Sequence, residues 1–142
     1  MFIYGKTAAN AIAIMSYLAA DPDRRAGSRE IANSRKISQM LTAKLLTQLA
    51  AAGLVSGQPG PGGGYTLAQS AESISLLAIA SLFEQTDPPS VCPFGHDWCG
   101  HGNPCPLHDT IVKMLEANQH FMETTNLAVF RNQNRPPPVS DV

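Results

Sequence analysis

The stretch SREIANSRKISQMLTAKLLTQLAAAGLVSGQPGPGGGYTL, residues 28–67, decides the fold. Ser28 offers an N-cap for a short helix over 28–35, in which Ile31 and Ala32 face inward. Ser38 offers a second cap, for a helix through Ala52 whose Leu41, Leu45, Leu46 and Leu49 recur at helical spacing. Gly53 ends that helix, because the residue past a helix end is commonly left-handed and glycine takes that conformation without penalty. Leu54-Val55-Ser56 and Tyr65-Thr66-Leu67 are then two β-prone runs around the Gly/Pro-rich segment 57–64, a hairpin with a long tip.

Working outward, residues 8–20 place Ala8, Ala11, Ile12, Met15 and Leu18/Ala19 on one helical face, and Asp21-Pro22-Asp23 stops that helix. Three small helices followed by a two-stranded hairpin is the order of a winged helix-turn-helix, so the expected fold is mainly α with a β wing. Downstream, residues 73–84 read as a fourth helix and 86–104 as an irregular loop. From about Pro106 a long helix begins, with Ile111, Met114/Leu115, Asn118, Phe121/Met122, Thr125 and Ala128/Val129 at three- and four-residue steps. A stripe of that length with little left to cover it predicts a homodimerisation helix. The organisation expected is a DNA-binding domain over 1–84, a cysteine-rich loop over 85–105, the dimer helix over 106–130 and a disordered tail over 131–142.

At 142 residues the chain has room for one domain and a helical extension. No apolar stretch approaches the length of a membrane span, and the first residues lack the pattern of a signal peptide, so a cytoplasmic protein is expected. The net charge of −1 is unevenly spread: residues 1–48 hold seven Lys/Arg against three Asp/Glu, and 49–142 hold three against eight. A basic first third can meet a polyanion. The N-terminal end of the second helix of a helix-turn-helix reaches base edges in the major groove of double-stranded DNA. Here that end supplies Ser38, Gln39, Met40 and Thr42; Gln39 can pair bidentately with adenine, and the hydroxyls can bond bases or phosphates. Ser28, Arg29, Arg35, Lys36 and Lys44, with Arg24 and Arg25, suit phosphate contact. Paired catalytic carboxylates, a nucleophile–base arrangement and a phosphate-binding loop are all missing, so no enzyme is expected; Gly62-Gly63-Gly64 lacks the lysine and the strand–helix setting of such a loop.

Cys92, Cys99, Cys105 and His108 fall within seventeen residues, and those three cysteines are the chain's whole complement. An odd number argues against a closed disulfide framework. Gathered thiolates bind zinc or iron–sulfur clusters. Zinc knuckles favour ligand pairs two to four residues apart, whereas the gaps here are six and five, which suits a larger cluster in a Gly/Pro-rich loop. Unmetallated thiols that answer directly to oxidants are the competing state.

SREIA (28–32), IS (37–38), LL (45–46), AAGLV (51–55), PGGGY (61–65) and the Ile74-Ser75, Leu76 and Ile79 positions together resemble the winged-helix iron–sulfur regulators of bacteria, the Rrf-two family with its IscR-, NsrR- and RirA-like members. The likeness runs from about Lys6 to Leu127. It implies a dimeric transcriptional regulator that senses cluster status, redox state or nitric oxide, with Cys92, Cys99 and Cys105 as cluster ligands. His108 matches the histidine ligand of IscR-like members, with His101 and His96 as loop alternatives. The acid that NsrR-like [4Fe–4S] members use is missing from Thr7-Ala8-Ala9-Asn10, which favours [2Fe–2S]. A histidine ligand raises the reduction potential and must lose its proton to bind. Two departures stand out: Pro59 replaces the family's arginine before the wing glycines, and Ala43 replaces an acid of the recognition helix. They motivate an alternative, a redox or cluster-carrier protein on a winged-helix scaffold with weak DNA binding.

Overall fold

The computed structural model describes residues 4–83 and 105–131. Its elements are α1 (Lys6–Ala20), α2 (Ser28–Arg35), α3 (Gln39–Ala51), β1 (Val55–Gln58), β2 (Gly64–Leu67), a 3-10 turn (Ala71–Ser73), α4 (Leu76–Ala80), α5 (His108–Thr124) and a last 3-10 turn (Leu127–Phe130). The three helices and the hairpin form the expected winged helix-turn-helix.

α1 is the hub. Beyond the predicted stripe it also buries Ile14, Ser16 and Tyr17, because α2, α3 and β2 cover one side while α4 and the last turn cover the other. In α3 the buried row is Thr42, Leu45, Leu46 and Leu49, whereas Leu41, expected inside, is half-buried. Thr42 can replace it inside because its hydroxyl donates to the Ser38 carbonyl at 2.9 Å, leaving no unpaired polar group.

Two helix ends use the same closure. Leu54 N–H donates to Leu49 O and Gly53 N–H to Ala50 O, both at 3.0 Å, around Gly53 at φ 78°. That is a glycine-terminated Schellman end, as the sequence predicts. α2 closes with Ile37 N–H donating to Ala32 O at 3.0 Å, but here the left-handed residue is Lys36, at φ 53° and ψ 42°. Ser28 is the first residue of α2 rather than its cap; Gly27 takes the cap position, with no side-chain cap bond.

β1 and β2 pair antiparallel, Val55 with Leu67 through Gln58 with Gly64. The other edge of β2 bonds the segment before α2: Ala26 N–H donates to Tyr65 O at 3.1 Å and Tyr65 N–H to Ala26 O at 2.8 Å. The wing is thereby tied to the helix-turn-helix. Gly64 permits the approach, since its φ is 132° and a Cβ there would lie 2.9 Å from the Ala26 backbone. At Gly63 a Cβ would lie 2.1 Å from Gln58 O, so the turn itself excludes a side chain.

The C-terminal half departs from expectation in two places. Instead of a fourth helix over 73–84, Ile74 is extended and α4 spans five residues, its Ser75 cap accepting from Ala78 N–H at 3.0 Å. The long helix stops at Thr124 rather than near residue 130. Both differences have one cause: the segments 74–76 and 125–127 pair with each other around an antiparallel Ser75–Asn126 bridge. Leu76 N–H donates to Thr125 O at 2.9 Å and Leu127 N–H to Ile74 O at 3.0 Å. This returns Leu127, fully buried, to the core. The remainder of α5 buries only Met122, while Met114, Leu115 and Phe121 are exposed. The expected loop falls outside the described residues except for Cys105, as does the expected tail beyond Arg131.

Candidate nucleic-acid interface and metal centre

The exposed side of α3 carries Gln39, Met40, Ala43, Lys44, Thr47 and Gln48. Ser38 caps the helix, its Oγ accepting from Leu41 N–H at 3.2 Å, and remains exposed. Arg29 and Lys36 are exposed on and just after α2, and Ser28 is half-buried. Arg25 is exposed in the preceding loop. This face carries basic and amide groups and no carboxylate.

Two of the candidate DNA residues do not belong to it. Thr42 is fully buried and spends its hydroxyl inside α3, so it reaches neither bases nor phosphates. Arg35 is half-buried and turned inward: Nε donates to Ala13 O at 3.0 Å, an Nη donates to Ser16 Oγ at 3.2 Å, and the guanidinium lies 5.2 Å from the Tyr17 ring centroid. Arg35 is a tether between α2 and α1. A neighbouring network does similar work, because Tyr17 O–H donates to Glu30 at 2.6 Å and Arg24 pairs with the same carboxylate. The Glu30 hydrogen bond raises the Arg24 pKa further above its ordinary value. Sequence reading missed these roles. The available signal was Tyr17 itself, since a tyrosine next to an apolar stripe needs a partner for its hydroxyl.

The wing projects residues 57–62, with Pro59 exposed and no charged side chain among them. Whatever the wing contributes to binding DNA therefore comes without ion pairing, from the exposed Gln58 amide, the backbone and shape.

Of the cysteine set, Cys92 and Cys99, with His96 and His101, lie outside the described residues. Cys105 and His108 are both described and half-buried at the start of α5, where His108 N–H donates to Cys105 O at 3.0 Å. One backbone turn therefore holds Cys105 and His108 together at the start of α5. Two such donors suit an iron–sulfur cluster or zinc, and a complete site needs the other cysteines; among the described residues no three potential ligands group together.

Residues 4–133 match the profile of Rrf2, an iron-dependent transcriptional regulator. The chain belongs to the Rrf2 family. An HTH-type transcriptional regulator of Yersinia pseudotuberculosis, IscR, is 29% identical over 112 residues, covering 79% of this chain and 68% of that protein. A protein of Aquifex aeolicus described as an HTH-type regulator is 29% identical over 127 residues, covering 88% of each chain. The structure of CymR, the global cysteine regulator of B. subtilis, superposes with a TM-score of 0.74 at 21% identity, covering 92% of this chain and 98% of that one. These relatives are transcriptional regulators, and this Rrf2 protein is a regulator rather than an enzyme. No helix among its described residues is long and apolar enough to cross a membrane.

Proposed function

We propose that this Rrf2 regulator is a homodimer that binds operator DNA through α3, and that an iron–sulfur cluster held by Cys92, Cys99 and Cys105 sets its affinity. What supports the reading is the backbone turn that holds Cys105 and His108 together at the head of α5; a histidine as fourth ligand, which the resemblance to IscR-like members implies, favours [2Fe–2S] over [4Fe–4S]. When bound, the cluster supplies a redox-responsive anchor for this end of the helix. The chain's own residues fix the other end, where Met122 and Leu127 are buried in the winged domain and the 74–76/125–127 pairing holds them. Met114, Leu115 and Phe121 on α5 are exposed and fit a partner subunit. Gln39, Met40, Lys44, Ser38, Lys36 and Arg29 form the DNA face, the last two meeting phosphates.

Anaerobic purification followed by a visible spectrum and iron and sulfide assays tests the cluster. Replacing Cys92, Cys99 or Cys105 by Ala should bleach the visible bands, and His108→Ala should shift them. An iron-free, colourless protein after reconstitution refutes the reading, as does equal operator affinity with and without cluster. The uncharged wing favours a second reading, a cluster or redox carrier that does not read DNA. Salt-independent or undetectable duplex binding would select it.

A further inference from the structure

Met40 is 85% exposed, far more than any other large apolar side chain described, and it stands on the first turn of α3. A methionine there gains nothing for the folded monomer, since burying it elsewhere would release its apolar surface from water. Its surroundings narrow what could cover it. On the helix surface it shares a face with Ala43 and Lys44, three and four residues on, and Gln39 adjoins it. Lys36 lies exposed just before the helix. The exposed residues of α3 include no acid, so this face suits a polyanion rather than a basic partner.

Within a major groove, the one apolar group on any base edge is the C5-methyl of thymine. We propose that Met40 reads that methyl, and that it fixes a T·A pair in each operator half-site. The inference rests on the DNA-binding reading above. Three features support it. The thioether chain is unbranched and flexible, so it can follow a methyl without strain. Ala43 adds only a methyl on the next turn, leaving space beside Met40 and presenting no carboxylate to accept from cytosine N4. Lys44, one turn along, can donate to guanine O6/N7 or thymine O4 on a neighbouring pair.

The full-length protein, purified anaerobically, should be used to select duplexes from a randomised pool, and each fixed thymine then replaced by uracil. Each single replacement should weaken binding about 4-fold, the value of one buried methyl group, and replacement in both half-sites about 15-fold. Met40→Ala should weaken binding to the thymine duplex and abolish the difference between thymine and uracil. As Met40 is exposed, the variant should fold, which circular dichroism checks. If Met40→Ala keeps the thymine preference intact, or if the selected half-site has no fixed thymine, the inference is overturned while DNA binding stands. If the wild-type protein selects no duplex, the DNA-binding reading fails and takes this one with it.

Discussion

Lys36 does two things that can be separated by two substitutions. It holds the left-handed position that closes α2, at φ 53°, and it offers an ammonium group beside the recognition helix. An L-residue in that conformation costs about 1–2 kcal/mol, and glycine avoids it but loses about 0.5–1 kcal/mol more backbone entropy on folding. Lys36→Gly should therefore stabilise the fold by about 0.5–1 kcal/mol, raising Tm by about 2–4 °C. Lys36→Ala keeps the strained backbone and should leave Tm nearly unchanged. Both variants lose the side chain and whatever it touches, so their difference isolates the backbone. Both should also weaken operator binding alike and lower the slope of log K against log salt by about one per half-site. Calorimetry and fluorescence anisotropy over a salt series measure the two effects. Equal Tm values for the Gly and Ala variants would refute the strained turn, and an unchanged salt slope would refute the phosphate contact.

Arg35→Met should destabilise by about 1–3 kcal/mol in urea unfolding, since charge-assisted bonds to Ala13 and Ser16 and the stacking on Tyr17 are lost, whereas Arg29→Ala should alter DNA salt dependence and leave stability within about 0.5 kcal/mol. Gly64→Ala should cost about 2–4 kcal/mol, because its φ of 132° and the 2.9 Å approach to Ala26 both exclude a Cβ; a Tm equal to wild type would show that the wing does not dock there. Asn118→Leu should stabilise the fold by about 1–3 kcal/mol in urea unfolding, since a buried amide oxygen without a partner among the described residues is replaced by an apolar group. The Arg131 hydrogen bond lowers the Glu72 pKa below its ordinary 4.5, so this pair contributes above that pH and is lost as pH falls through the depressed value; an NMR titration should show the midpoint returning upward in Arg131→Ala.

Local rules made the first half of the chain legible. Gly53, the Leu45/Leu46/Leu49 stripe and the paired β-prone runs each specify structure within a few residues, and the fold follows them. Thr42 and Arg35 were misread because their roles depend on what lies across the core or one turn back. A threonine is polar by type but can be buried once its hydroxyl donates a hydrogen bond to the Ser38 carbonyl, and an arginine among other cations faces inward when a carbonyl, a hydroxyl and a ring await it. The ends of α4 and α5 were misplaced for a related reason: pairing between residues 74–76 and 125–127 joins segments some fifty positions apart, and helical periodicity carries no trace of it. Of the candidate metal ligands, the sequence gathered the three cysteines and the family resemblance added His108; only Cys105 and His108 fall among the described residues.

That distant pairing also explains how α5 could report on its own first turn. A helix fastened at both ends transmits displacement, while one fastened at neither frays. Here the C-terminal end is fixed by Met122, Leu127 and the backbone bonds to Ile74 and Leu76; α4 and the last 3-10 turn pack directly on α1, the hub on which α3 also packs. Between the anchors, α5 exposes Met114, Leu115 and Phe121, too much apolar surface for a helix that gains its stability from packing. A second subunit covering that face would make the two hubs one rigid frame, so that the spacing of two α3 helices becomes a property of how α5 is held. Ligation at Cys105 and His108 would then bias that spacing, and a coupling of about 1–3 kcal/mol is all that regulation requires. This frame requires α5 to be the dimer contact. If charges placed at Met114 and Phe121 leave the protein dimeric, ligation at the head of α5 has no lever on the DNA face.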